Sequence, residues 1–160
     1  MRKLMCIVCS LFTFCGCMAK EAPQTINLYF ISDPSATRPA SHKFKVSLAV
    51  NNKQWMQGLM YKKDSDLAEH QGMLFIFPNE EPRTFWMRNT YLSLDIIFID
   101  ADKTVVSLIE EATPLSEAPL PSGYPAKYVV EIRGGLAKKL GITRGSKVKF
   151  DVPAKLYQKI

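Results

Sequence analysis

A chain of 160 residues leaves room for one ordinary domain once any leader is removed, and excludes a multidomain architecture. Hydrophobic residues make up 47% and charged residues 22%, enough apolar side chain for a core, which excludes disorder as the main state. The formal charge of +6 favours solubility and loose contact with acidic surfaces. No basic stripe with interleaved stacking residues accompanies it, so nucleic acid is not an expected partner.

Arg2 and Lys3 precede an apolar run from Leu4 to Cys15, closed by Gly16 and Cys17. Residues 1–17 therefore read as a signal peptide, the run being too short to span a bilayer. Phe14-Cys15-Gly16-Cys17 resembles a bacterial lipobox and predicts lipidation at Cys17; ordinary cleavage after Ala19 is the rival. Lipidation would hold the protein by a membrane anchor on the periplasmic side of the outer membrane. Cleavage alone would leave it periplasmic or secreted. All four cysteines (Cys6, Cys9, Cys15, Cys17) belong to this leader, so neither a disulfide framework nor a cysteine metal site is expected in the folded body.

Residues 18–43 carry Pro23, Pro34 and Pro39 among Ser, Thr and Ala, the composition of a flexible tether. Ile26 to Ile31 is its apolar exception, open between an added edge strand and a sticky piece of tether. A single globular domain is expected over 44–153.

Phe44, Val46, Leu48 and Val50 alternate with smaller or polar residues, a half-buried strand. Asn51 and Asn52 cap a short helix over 53–57 that carries Trp55, and Gly58 ends it. Met73 to Phe77 is an apolar strand stopped by Pro78. A hairpin-like stretch from Asn79 to Pro82 leads into a strand from Arg83 to Arg88. Leu92, Leu94, Ile96 and Phe98 alternate again, and Asp100 to Lys103 turns the chain into a strand from Thr104 to Ile109. Five prolines and glycines between Glu110 and Lys127 predict a long ordered loop. Tyr128 to Ile132 is a strand, Leu136 to Leu140 a short helix, and Val148, Phe150 and Val152 lie on the last strand. The pattern suggests a meander and predicts a β-rich α+β domain, a small closed or nearly closed β-barrel-like fold with two short helices.

Four blocks resemble the bacterial and archaeal family called domain of unknown function 192: Gln57-Gly58-Leu59-Met60, Gly72 to Pro78, Phe85-Trp86-Met87-Arg88-Asn89-Thr90, and Leu94 to Asp100. Val130-Glu131-Ile132 with Gly134-Gly135, and Gly141-Ile142 with Gly145, extend the likeness. Gln57 stands where the family more often has Arg, and Ser146 where it usually has Asp. The resemblance implies an exported domain and supplies no reaction.

Along Arg83 to Arg88, alternation sets Phe85 and Met87 on one face and Trp86 and Arg88 on the other. If the first pair enters the core, Trp86, Arg88 and Asn89 are displayed as a ligand-binding face, an aromatic ring beside a forked donor. The plainer alternative has Trp86 covering the barrel end and Arg88 paired with Asp95 or Glu131. Asp95 and Glu131 each sit inside an apolar strand and are the candidate catalytic pair, acting as acid and base if brought together. Otherwise each faces solvent or pairs with Arg88, Lys127 or Arg133. With His42 assigned to the tether and His70 to a solvated loop, no metal site is expected, and no cofactor motif is present. Met56, Met60, Met73 and Met87 suit Cu(I) chemically, but their apolar neighbours favour packing.

The leading expectation is an exported, membrane-anchored binding or scaffolding module of the cell envelope, its partner a small molecule or an envelope protein. The alternative is a small hydrolase-like or lyase-like enzyme built on Asp95, Glu131 and Arg88.

Overall fold

The computed structural model describes residues 24–32, 34, 35, 37 and 40–157; the expected leader and the Cys17 expected to carry lipid lie outside them. Seven strands, β1 (Thr25–Ser32), β2 (Ala40–Ala49), β3 (Gln71–Phe85), β4 (Leu94–Ile99), β5 (Val105–Ala112), β6 (Leu120–Arg133) and β7 (Lys147–Phe150), form one sheet in the order β5-β4-β6-β3-β2-β1-β7. The domain is β-rich and α+β. Neighbours pair antiparallel except β2 and β3, which run parallel across a connection holding helix α1 (Asn52–Gln57) and a 3-10 turn (Asp64–Asp66). That crossover breaks the expected meander. The sheet curls into a half-barrel whose edges meet at one end. There Thr104, just ahead of β5, bridges Lys147 of β7, and the Val105 N–H donates to the Ser146 carbonyl at 2.9 Å. Pairing does not continue along the seam, so the barrel is not fully closed.

Two hydrophobic cores, one on each face of the sheet, explain why the central strands look solidly apolar. β4 is buried at every position. Leu94, Ile96 and Phe98 point into an outer core with Phe75, Phe77 and Val129, while Ile97 and Ile99 enter an inner core that draws side chains from all seven strands. A strand covered on both faces has no polar side to alternate with. The inner core also takes Leu136 and Ala137 of helix α2 (Leu136–Lys139) and Leu156 of a third short helix, α3 (Ala154–Tyr157), beyond the two expected.

Three boundaries differ from the sequence reading. Thr25–Ser32 is a strand flanked by β2 and β7, and β2 starts at Ala40, so the sheet begins well before residue 44. Leu28 and Phe30 are fully buried while their neighbours are not, an alternation that six residues between prolines showed only faintly. His42 thereby sits on β2 rather than in a tether. The loop expected over 110–127 shrinks to 113–119, because β5 runs to Ala112 and β6 starts at Leu120. Pro121 and Pro125 are tolerated there because this half of β6 pairs with β3 alone, its β4 partners beginning only at Tyr128, so missing N–H groups break no second ladder. Finally, β3 continues through Asn79–Pro82 with register shifts and stops at Phe85, leaving Trp86 to Asn89 outside any strand.

Gly72 marks the closest approach of β3 and β6. A Cβ there would stand 2.4 Å from the Glu131 carbonyl oxygen, so only glycine lets the two strands pair at that point.

Candidate functional site

α1 is built by local rules: the Asn51 side chain accepts a hydrogen bond from the Gln54 N–H at 3.0 Å, and Gly58, at φ 47°, ends the helix by turning the chain back across the sheet. This lays the segment from Trp55 to Met60 over the outer core. The Trp55 indole N–H donates to the Ala49 carbonyl at 3.0 Å, and its ring packs 4.9 Å from Phe77. The irregular end of β3 forms the opposite wall with Arg83, Phe85 and Trp86, and Thr90, Glu117 and Pro119 complete the rim. Between them lies a cleft of about 510 Å³, within the range of small-molecule sites.

Glu131 is at the floor of this cleft. It is 5% exposed, and its pKa is pushed up to about 8, chiefly by burial; a hydrogen bond from the Leu59 backbone N–H opposes the shift only in part. Its Oε2 is buried without a hydrogen-bond partner. Gly58 lies directly above. A Cβ at that position would fall 3.5 Å from the Glu131 Oε2 and 3.3 Å from the Phe75 ring, so a side chain at 58 would crowd the acid.

Arg83 holds the mouth. Its guanidinium lies 4.1 Å from the Phe77 ring centroid, its Nε donates to the Ala126 carbonyl at 3.2 Å, its Nη1 to Glu81, and its Nη2 to the Asn79 carbonyl. Nothing in the spacing of the sequence singled out Arg83, Phe77 or Trp55. The available signal was that Phe77 lies inside a block carrying the family likeness while Trp55 and Arg83 stand two residues before one, and those blocks meet here: Gln57 to Met60, Phe77, Phe85-Trp86 with Thr90, and Glu131 all line one cleft.

The expected alternation holds although the strand ends early: Met87 is fully buried, Phe85 packs edge-on to Phe75 at 5.1 Å and Phe98 at 5.8 Å, and Trp86 is 39% exposed. Arg88 is displayed beside Trp86, 5.7 Å from its ring, but its ion-pair partner is Glu117 at 3.7 Å, neither Asp95 nor Glu131. Of the expected ligand-binding residues only Trp86 lines the cleft; Arg88 and Asn89 do not, and Asn89 braces a neighbouring turn. At φ 54°, a region that asparagine tolerates, it donates from Nδ2 to the Tyr61 hydroxyl at 3.0 Å, and its carbonyl accepts from the Tyr61 N–H. The Arg88 side chain is 52% exposed, so Arg88→Ala should cost under about 1 kcal/mol, while Phe85→Ala, which opens the outer core, should cost about 3 kcal/mol. Thermal melts of the two variants check the contrast, and equal losses would contradict it.

The two candidate carboxyl groups do not form a pair. In the β4–β6 ladder Asp95 stands opposite Ile132, and Ile96 opposite Glu131. Successive side chains alternate, so Asp95 and Glu131 point to opposite faces of the sheet. Asp95 is fully buried and accepts three backbone N–H bonds, from Glu111 at 2.8 Å, Gly135 at 3.0 Å and Ala137 at 2.7 Å. It ties the left-handed residue Glu111 of β5 and the start of α2 to β4. The Gly134-Gly135 turn thus receives this chain's own carboxyl rather than an external anion.

Among solved structures, a candidate transcription regulator from Sinorhizobium meliloti 1021 is similar, with 36% identity, a TM-score of 0.76, and coverage of 82% of this chain and 98% of its own. A protein of unknown function from Novosphingobium aromaticivorans is also 36% identical, with a TM-score of 0.73, covering 81% of this chain and 88% of its own. No curated protein matches the sequence. The family model described as DUF192, an uncharacterized ACR, matches residues 35–150, and the chain belongs to that family.

Proposed function

We propose that the domain is a receptor module of the cell envelope that holds a small molecule in the cleft between α1 and the end of β3. The observation that carries this reading is Glu131. A buried acid with an unpartnered oxygen, at the floor of a cleft walled by Trp55, Phe77, Phe85 and Trp86, is an unmet hydrogen bond in a largely apolar cavity. Structural acids are satisfied by the fold, as Asp95 is. Export and lipid anchoring at Cys17 belong to the same proposal and rest on the leader's charge, apolar run and Gly16-Cys17. The enzyme alternative keeps one supporting observation, the raised pKa of Glu131, which suits a general acid. The carboxyl it was to act with, Asp95, faces the other way. The regulator description of the Sinorhizobium protein finds little support in this chain, whose described helices have six, four and four residues, too short for a helix laid in the major groove.

Both tryptophans of the chain, Trp55 and Trp86, line the cleft, so intrinsic fluorescence reports on it directly. In a ligand-observed NMR screen of small aromatic and sugar compounds, hits should change that fluorescence. Trp86→Ala should weaken them about tenfold while leaving the protein folded, since stacking on one aromatic ring contributes roughly 1–3 kcal/mol. Hits indifferent to Trp86→Ala and silent in fluorescence would place binding elsewhere. A hit converted to product would favour the enzyme.

A further inference from the structure

The charged groups around Glu131 decide what kind of ligand the cleft accepts. Arg83 and Glu117 line the same cleft, from β3 and the 113–119 loop. Arg83 donates to Ala126, Glu81 and Asn79, and the Glu81 carboxylate already neutralises its charge. Arg133, two positions further along the same face of β6, donates to Asp64 at 2.9 Å and to the Leu67 carbonyl. Met73 and Ile96 flank Glu131 in the neighbouring strands, and the α1 side offers Gln57, Gly58 and Leu59, none of them ionisable. No cation among the described residues is paired with Glu131.

Such a carboxyl group keeps its proton in neutral solution, because the one Leu59 N–H does not offset the cost of burying a charge with no cation beside it. The Leu59 N–H meets part of the group's hydrogen-bonding capacity, and the carboxyl O–H finds no acceptor in the fold. The floor of the cleft therefore presents a single hydrogen-bond donor, surrounded by rings and by Met56 and Met60. A ligand with a positive charge would have to ionise the acid in a dry site, and a ligand with a negative charge would meet no free cation there. An uncharged acceptor meets neither obstacle.

We propose that the cleft selects uncharged ligands with a flat, mostly apolar body and a carbonyl-type acceptor at the inner end, which receives the carboxyl hydrogen of Glu131. This rests on the receptor reading above and adds the ligand's chemistry to it. Polarity at the outer end of such a ligand would face Glu117, the partner of Arg88, beside the exposed Trp86 ring.

Three probes with one skeleton test it on the full chain by calorimetry: naphthalene-2-carboxamide, the 2-naphthoate anion and the 2-naphthylmethylammonium cation. At about pH 6.5 the carboxamide should bind about tenfold more tightly than either ion. Its affinity should fall about tenfold between pH 7 and 9.5, as Glu131 loses its proton and the donor with it. Glu131→Gln supplies an amide donor at the same place, so it should retain carboxamide binding to within about threefold and abolish the pH dependence. Tighter binding of the ammonium, rising with pH, would overturn the inference in favour of a cation site while leaving a receptor cleft. Carboxamide binding indifferent to both pH and Glu131 would do the same in favour of simple apolar capture. Silence from all three probes overturns the inference, and the receptor reading falls with it only if the wider fluorescence and NMR screen is silent too.

Discussion

Asp95→Ala should lower the melting temperature by roughly 12–20 °C, the loss of about 4 kcal/mol in a domain of this size. The side chain is fully buried, and its two oxygens accept from three backbone N–H groups that belong to β5, to the turn before α2 and to α2 itself. Removing the acceptor leaves three donors with no replacement in the fold, each costing about 1–3 kcal/mol in full burial and less where water reaches it. The structural consequences extend beyond the bonds. Glu111 is held at φ 48° and Gly135 at φ 82°, conformations that the Asp95 bonds stabilise on both sides. Asp95→Asn should also be strongly destabilising, because its amide turns an NH2 toward a site that holds only donors. A melt within a few degrees of the parent chain for either variant would show that Asp95 is not the tie between β4, β5 and α2.

The contrast between Asp95 and Glu131 shows how far the sequence carries the site. Each is one acid between two apolar residues on a strand, and in one dimension the patterns are equivalent. The ladder separates them: opposite faces of β6 and β4 give Asp95 three N–H donors and give Glu131 one, under a cleft roof. Which donors arrive depends on Gly135, Ala137 and Glu111 being brought across the sheet, and no local period records that. The face bearing Trp86 and Arg88 was legible, because two-residue alternation depends only on extended backbone and survives the end of the strand at Phe85. The partner of Arg88 was not, since Glu117 reaches it from a separate loop. Likewise the cleft needs the parallel crossover from β2 through α1 to β3, a long-range pairing that sets Gly58 over Glu131. Local strands and both interior helices could be read from alternation, caps and glycine stops. The N-terminal strand was obscured by the prolines around it, and the proline-bearing half of β6 by the rule that prolines break strands, a rule relaxed where only one side is paired.

Glu131 should make the protein less stable as the pH rises, the reverse of an ion-paired acid. In the unfolded chain its pKa is near the ordinary 4.5, and in the folded chain it is pushed up to about 8 by burial. Between those values the folded state holds a proton that the unfolded state has released, so folding takes up a proton and each step up in pH favours unfolding. The stability tied to the protonated acid is complete below about pH 4.5 and lost progressively as the pH passes through 8; across that window the change is about 5 kcal/mol. Glu131→Gln has no proton to lose, and its amide fits the same space. The two proteins should therefore melt close together near pH 4 and diverge steadily above it, with the glutamine variant the more stable by several kcal/mol at pH 9. Taking the difference between the two profiles cancels every other titrating group, including Glu69, whose bond to Lys139 lowers its pKa and works in the opposite sense. Denaturant melts at half-unit intervals from pH 4 to 9 measure that difference directly. Parallel profiles would mean that Glu131 ionises as freely in the folded protein as in the unfolded chain, and the donor at the floor of the cleft would be lost with the slope.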